Sequence, residues 1–316
     1  MKAIIATGRG LKTRLTLADI PGPGQPGPDD VLVEVHAASV NPKDWKLNLP
    51  LAALTRPFRG KRLRALFGDD LAGIVREVGS SVTDFAVGDA VYGMDMRLRT
   101  ASLAERTLID RHCIAKKPDS LSFIEAAAMP LAAQTALQGL RKGQAKAGSR
   151  VLVIGASGGV GTFAVQIARA MGCHVTGVCS ADNAGLMVEL GADEVIDYTR
   201  GDYRRKAGSF DLVFDVVSKE SPRSCAGLLD PQGRFVSTGG SAGAMLGTPL
   251  YRLLGKNAAS MMVQSRREDL ETLAGMVDKG QLRPVIDSEF DLADADAAYR
   301  RSRSGRCRGK VVIRVA

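Results

Sequence analysis

A continuous apolar strand that runs straight into a cluster of glycines constrains this chain more than any other feature. Arg150-Val-Leu-Val-Ile-Gly155 is followed by Ala156-Ser-Gly-Gly-Val-Gly161, and a helix is expected over Gly161–Met171. Strand, glycine turn and helix in that order are the setting of a dinucleotide fingerprint. Set against G-x-G-x-x-G, the match is Ala156-x-Gly158-x-x-Gly161, with Ala in place of the first glycine. A glycine at 158 lets the backbone approach a pyrophosphate, and one at 161 lets the helix pack closely on the strand. The helix N-terminus then offers unsatisfied N–H groups and the positive end of its dipole to the phosphates. Ala156, Ser157, Gly158, Gly159, Val160 and Gly161 are therefore the candidate cofactor-binding turn.

The chain divides around this turn. With 316 residues, it is long enough for about two domains of ~100–200 residues. Residues 1–120 read as β: Met1–Thr7, Val31–Val40, Leu71–Val78 and Ala90–Tyr92 are short apolar runs separated by turn residues. Ser122 and Glu125 form a capping-box pattern at the head of a helix over Phe123–Ala128, and a second helix is expected over Leu131–Leu140. After the glycine turn, strands are expected at His174–Cys179, Glu194–Asp197, Asp211–Asp215 and Arg234–Thr238, with helices between them. Apolar strands alternating with helices indicate a parallel sheet covered on both faces. Residues 122–265 are thus expected to be a doubly wound dinucleotide domain in an α/β protein. Beyond it, a helix over Glu268–Lys279 and strands at Pro284–Ile286 and Lys310–Val315 are placed to return to the first domain.

Composition narrows the classes of partner. The formal charge is +9, with basic runs at Arg56–Arg64 and Arg300–Lys310. Neither run has the interleaved aromatics of a single-strand platform, so nucleic acid is not an expected partner. No apolar run reaches the ~18 residues that span a bilayer, so no membrane is expected either. The cysteines are odd in number and widely spaced, which suits a reducing cytoplasm rather than a disulfide framework. The N-terminal Met1-Lys-Ala-Ile-Ile-Ala lacks the long apolar stretch of a signal peptide.

An acid at the end of the second dinucleotide strand would take a ribose 2′-hydroxyl and select NAD. That position holds Cys179 and then Ser180. Tyr198, Arg200 and Arg204 follow the third strand and are placed to meet a 2′-phosphate. NADPH is therefore the expected cofactor. Asp182, read as part of a helix cap, and Asn183 beside it keep NADH open.

With these residues set out, the chain resembles the medium-chain dehydrogenase/reductase superfamily, and within it the zinc-free quinone and enone reductases. Five segments carry the resemblance: Asn41-Pro-Lys-Asp-Trp-Lys46, Gly68-Asp-Asp-Leu-Ala-Gly73, Val87-Gly-Asp-Ala-Val-Tyr-Gly93, Leu190-Gly-Ala-Asp-Glu-Val-Ile-Asp-Tyr198 and Arg308-Gly-Lys-Val-Val312. They lie in the family's order and span nearly the whole chain. The resemblance implies a GroES-like β-barrel catalytic domain over residues 1–121, joined by 266–316, and a Rossmann domain over 122–265. It implies a small carbonyl or quinone substrate. It also implies a homodimer formed through the sheet edge near Leu250–Val263.

The resemblance also assigns site residues. Where zinc-dependent members place their first cysteine this chain has Asn41, and where they place G-H-E it has Gly68-Asp69-Asp70. Metal catalysis is not expected, because a catalytic zinc needs three protein ligands converging on one point. Lys46 would hydrogen-bond the nicotinamide ribose or the substrate oxygen, with Asn41 and Asp44 shaping the same corner. Asp44 would orient Lys46 or cap a short helix. Thr135 would lie by the nicotinamide, and Val217, Thr238 and Gly239 follow strands at whose carboxyl ends ligands bind. Two other readings stay open: an alcohol dehydrogenase-like oxidoreductase, and a nucleotide-binding protein that has lost catalysis.

Overall fold

A computed structural model describes residues 1–7, 14–45, 67–95, 101–205, 209–238 and 257–316. They form two compact units. The first comprises Met1–Leu131, Ser265–Asp278 and Pro284–Ala316; the second comprises Ala132–Gln264 and Lys279–Arg283. The boundary expected after residue 121 falls after Leu131 because the capped helix α1, Phe123–Ala127, packs on strands of the first unit. Its capping box is as expected: Glu125 N donates to Ser122 Oγ at 3.2 Å, and Ser122 N donates to Glu125 Oε2 at 2.8 Å.

The first unit is mostly β. Its strands are β1 (Lys2–Thr7), β2 (Arg14–Asp19), β3 (Asp30–Val40), β4 (Asp70–Val78), β5 (Ala90–Met94), β6 (Arg106–Asp110) and β7 (Ile114–Lys116), then β14 (Ile286–Asp291) and β15 (Lys310–Arg314). One sheet has the order β14-β15-β3-β4-β5-β7, with β6 also paired to β3, and β1 pairs β2 separately. The chain's tail therefore does return, through β15 antiparallel to β3. The strand expected at Pro284–Ile286 begins only at Ile286 and runs on to Asp291.

Strand β3 shows how the sequence positions a site. Val31, Val33 and Val35 alternate into one buried cluster. The register slips between Val35 and Ala37, a β-bulge. The inward phase then changes, so that Ala38 and Val40 enter a second cluster with Leu103, Val311 and Ile313. Ser39 and Asn41 are left on the alternate positions, facing other polar groups. A helix missing from the sequence-based expectation, Ala295–Arg303, buries Ala295, Ala298 and Tyr299, the spacing of one helical face.

The second unit is a six-stranded parallel sheet in the order β10-β9-β8-β11-β12-β13. These strands are Arg150–Ile154 (β8), His174–Cys179 (β9), Glu194–Asp197 (β10), Phe210–Asp215 (β11), Leu229–Ser237 (β12) and Ala258–Ser260 (β13). Counted along this unit, the spatial order is third, second, first, fourth, fifth, sixth. That is the doubly wound order, whose direction reverses between β8 and β11. Helix α2 (Pro130–Lys142) lies on β11, because Gly143 and Gly139 leave room for Leu212 and Phe214. Helix α3 (Gly159–Ala170) packs on β8 and β9.

Candidate functional site

The glycine turn sits at the reversal point, at the carboxyl end of β8. Gly155 has φ +83°, and a side chain there would run into Val217. Gly155 N and Ala156 N both donate to Val178 O, at 3.1 and 3.0 Å, which ties the turn to β9. Gly161 must be glycine, since a Cβ would press into the carbonyl oxygens of Gly155 and Ala156. Gly158 is different: the nearest atom to a Cβ there is Gly155 O at 3.5 Å. Space therefore remains beside Gly158. Helix α3 starts directly after it, two residues earlier than expected, with no side-chain cap and no acid in its first turn. An uncapped, acid-free helix N-terminus beside an open glycine fits a pyrophosphate.

The other predicted residues gather unevenly. Val217 is 40% exposed and lies against Gly155. Asp215, buried at the end of β11, accepts from the N–H groups of Val217, Ser218 and Glu220 at 3.0, 2.9 and 2.8 Å, which shapes this loop. Ser218 takes φ +60° and its hydroxyl lies 2.8 Å from that of Thr238. At the carboxyl ends of β11 and β12, Val217 thus lies by the turn while Thr238 meets Ser218 and the Val216 carbonyl. Thr135 lies in α2 and is buried, 5% exposed. Gly239 and Lys46 lie outside the described residues, as does the Arg56–Arg64 run.

At the ribose end, Cys179 is buried, and burial together with the charge of Asp197 pushes its thiol up to about 11. Ser180 is the first residue of that strand end to reach the surface. It does not cap the following turn with its side chain, as the sequence suggested; Asn183 Nδ2 donates to its Oγ at 3.0 Å. Tyr198 is 55% exposed just past β10. Arg200 is exposed and pairs with Asp197 at 3.3 Å. Arg204 is committed to Asp202 and Glu220, at 2.7 and 3.6 Å, so it is a poorer candidate for a phosphate than the sequence implied.

In the first unit, Asn41 and Asp44 belong to a buried polar cluster. Asp70 Oδ2 accepts from Ser39 Oγ (2.5 Å), Asn41 Nδ2 (2.9 Å) and Lys310 Nζ (3.2 Å), while its Oδ1 accepts from Leu131 N (2.7 Å). Lys310 Nζ also donates to Asn41 Oδ1 at 2.5 Å. Asp44 Oδ2 accepts from Asn41 N at 2.7 Å, which caps the short helical turn Pro42–Trp45. Lys43 Nζ spans both oxygens of Asp69, at 2.9 and 2.8 Å. Asn41 and Asp44 are 1% and 0% exposed, and Asp44 holds the turn through Asn41 N. Burial, reinforced by Asp69, holds the Asp44 carboxyl well above the usual range. Burial likewise raises Asp69 from 3.8 to about 6, against the pull of Lys43. The folded state binds this proton more tightly than the unfolded chain, so the Asp69 contribution to stability weakens as pH rises from 3.8 to about 6.

Two domain families match the chain: the alcohol dehydrogenase GroES-like domain over residues 27–120, and the zinc-binding dehydrogenase domain over 190–313. A mouse protein, NAD(P)H oxidoreductase RTN4IP1, mitochondrial, is 33% identical over 91% of this chain and 82% of its own length. The chain belongs to the medium-chain dehydrogenase/reductase superfamily. A tomato member, 2-methylene-furan-3-one reductase, is 35% identical over 90% of this chain and 71% of its own. The solved quinone oxidoreductase from Coxiella burnetii superposes with a TM-score of 0.90, at 31% identity, covering 100% of this chain and 99% of that one. These relatives place the chain in the quinone/enone branch of the superfamily, which works with a nicotinamide cofactor.

Zinc, which the superfamily's dehydrogenases employ, does not fit the residues described here. The Asn41 side chain is taken by Lys310 and Asp70, and the Lys43 ammonium donates to Asp69 Oδ1 and lies 2.8 Å from its Oδ2. Among the described residues no three His, Cys, Asp or Glu side chains are grouped to hold a metal ion. His36, one of the few histidines, stacks on Phe123 with ring centroids 4.4 Å apart. No role of its own was expected for Lys43 from the sequence, and Ser39 and Lys310 were not expected in the cluster. The one available signal was the Lys of Arg308-Gly-Lys310, a charge at the head of an apolar strand.

Proposed function

We propose that this chain is a zinc-independent reductase that uses NADPH in preference to NADH and reduces a quinone or an α,β-unsaturated carbonyl. The open Gly158 before an uncapped helix, at the reversal point of a doubly wound sheet, carries the cofactor assignment. The NADP preference is supported by Ser180 in place of an acid and by exposed Tyr198 and Arg200 near the same strand ends. The nicotinamide, when bound, supplies the hydride. We assign Ala156, Ser157, Gly158, Gly159, Val160 and Gly161 to the pyrophosphate, and Thr135, Val217, Thr238 and Gly239 to the nicotinamide half. Lys46 donates a hydrogen bond to the ribose or to the substrate oxygen, steadied by the turn that Asn41 and Asp44 hold.

An NADPH-oxidation assay over a panel of quinones and enones tests this reading. Turnover with at least one acceptor is expected, and Lys46→Ala lowers it about tenfold, ~1.4 kcal/mol in barrier. NADPH left unconsumed with every acceptor defeats the reductase, and undiminished turnover in the variant removes Lys46.

The partner is a small molecule. Part of the Arg300–Lys310 run is already neutralised, Arg301 by Asp287 at 2.5 Å and Lys310 by Asp70 at 3.2 Å, which argues against nucleic acid. No helix among the described residues is long and apolar enough to cross a membrane. Absence of any disulfide among the cysteines agrees with a reducing compartment such as the cytoplasm. The third residue after Ala259, Met262, is 78% exposed beside edge strand β13, in keeping with a homodimer across that edge. Light scattering at a single chain's 33.4 kDa would rule the dimer out.

A further inference from the structure

The glycine turn opens on a residue with little conformational preference of its own. A glycine visits left- and right-handed backbone alike, yet Gly155 must hold φ +83° for the chain to leave β8 in the right direction. Two backbone bonds to Val178 O restrain it from the side of β9. A second restraint comes from the side of β11. The Val217 side chain fills the space that a Cβ on Gly155 would need, and the Val216 side chain lies next to it.

Val217 is placed by Asp215, the last residue of β11, which is 0% exposed. Asp215 Oδ1 accepts from both Val217 N and Ser218 N, at 3.0 and 2.9 Å, and Oδ2 accepts from Glu220 N at 2.8 Å. Burying a carboxylate is costly, and N–H donors on both oxygens offset that cost. Asn or Ser also starts turns, but neither offers two oxygens that only accept. The bonds wind the loop so tightly that Ser218, which is not a glycine, takes φ +60°. A conformation of that kind persists only where its surroundings impose it, and it is concentrated at functional sites. The loop is tied on its other side too. Thr238 Oγ1 donates to Val216 O at 3.3 Å, and the Glu220 carboxylate accepts from Tyr203 Oη and Ser224 Oγ, each at 2.6 Å.

We propose that Asp215 is a positioning residue for the dinucleotide: it holds Val217 against Gly155, and this brace keeps the glycine turn in the shape that receives the pyrophosphate. The proposal rests on the nicotinamide-cofactor reading given above. Asp215 acts through Val217 and makes no contact with the cofactor itself. Without its carboxylate, three N–H groups lose their acceptor, the loop relaxes at Ser218, and Val217 leaves Gly155. The glycine then regains its freedom, and part of the binding free energy goes into restoring the turn.

The test is a double-mutant cycle on the whole protein, with Asp215→Ala, Val217→Ala and the two together. NADPH affinity is read by fluorescence titration, with a thermal melt of each sample. Each single change is expected to weaken NADPH about tenfold, and the pair also about tenfold, because Asp215 has nothing to act on once the Val217 methyl groups are gone. A loss of about 100-fold in the pair, the product of two independent effects, overturns the brace. Wild-type affinity in either single variant overturns it as well. Asp215→Asn keeps one oxygen for the Val217 and Ser218 N–H groups, so its affinity stays within about threefold of the wild type. A loss as large as that of the alanine variant overturns the assignment. Should Asp215→Ala not fold, Asp215→Ser takes its place in the cycle with the same expectations. Amide hydrogen exchange reads the brace with no cofactor present: the Val217 and Ser218 amides exchange about tenfold faster in Asp215→Ala than in the wild type. Unchanged exchange shows that Asp215 does not hold the loop and overturns the proposal. A wild-type protein that binds no NADPH instead defeats the cofactor reading, while the exchange rates still decide the brace.

Discussion

Gly158→Val is expected to fold like the wild type and to bind NADPH about 100-fold more weakly, ~2.7 kcal/mol. The expectation follows from two properties of one position. Gly158 has φ −80° and ψ 177°, a conformation open to any residue, and a Cβ there comes no closer than 3.5 Å to Gly155 O. A valine is therefore tolerated by the fold. Its methyl groups nevertheless project beside the N-terminus of α3, where the uncapped N–H groups are the donors that a pyrophosphate needs. Fluorescence titration of NADPH, with a thermal melt of the same sample, reads both properties. Unchanged affinity in a folded variant would show that the phosphates bind elsewhere. Gly161 offers no such separation, because a side chain at 161 strikes backbone oxygens and disturbs the turn itself.

Lys310→Met is expected to destabilise the protein by about 3–5 kcal/mol, the usual cost of stranding one partner of a buried pair. Lys310 is 3% exposed and gives its protons to Asn41 Oδ1 and Asp70 Oδ2. Methionine has nearly the same length and volume, so the loss isolates charge and hydrogen bonding from packing. Asp70 keeps Ser39, Asn41 and Leu131 as donors but loses its counter-charge, and Asn41 loses the donor on its carbonyl oxygen. The midpoint and slope of urea unfolding measure the change. A loss below about 1 kcal/mol would show that the buried pair contributes little to stability.

The cofactor half was legible in the sequence because its signals are local. The strand Arg150–Ile154, the glycines and the helix follow one another directly, and each adopts its element through nearest-neighbour chemistry. The sequence was also a fair guide to the Ser122–Glu125 capping box, for the same reason. The polar cluster was not legible. Lys310 and Asn41 meet across 269 residues, and Lys310 and Asp70 across 240. No pattern within a window joins them; the antiparallel pairing of β15 with β3 does. Tyr299 escaped notice because its helix, rich in arginine, gives only a narrow apolar face. Asn41 and Asp69 drew attention as replacements for metal ligands. Their contacts give them another meaning: Asn41 holds the ammonium group of Lys310, and Asp69 that of Lys43.

The most direct test of the central claim follows the hydride itself. NADPH carrying deuterium at C4 of the nicotinamide, in separate samples for the two faces, is given to the protein with an enone that it consumes, whose β-carbon keeps the transferred atom. Mass spectrometry of the product is predicted to show one deuterium transferred from one face only, since a cofactor anchored by the glycine turn presents a single face. Product without deuterium from either face, or NADPH left unconsumed, would contradict a nicotinamide-dependent reductase.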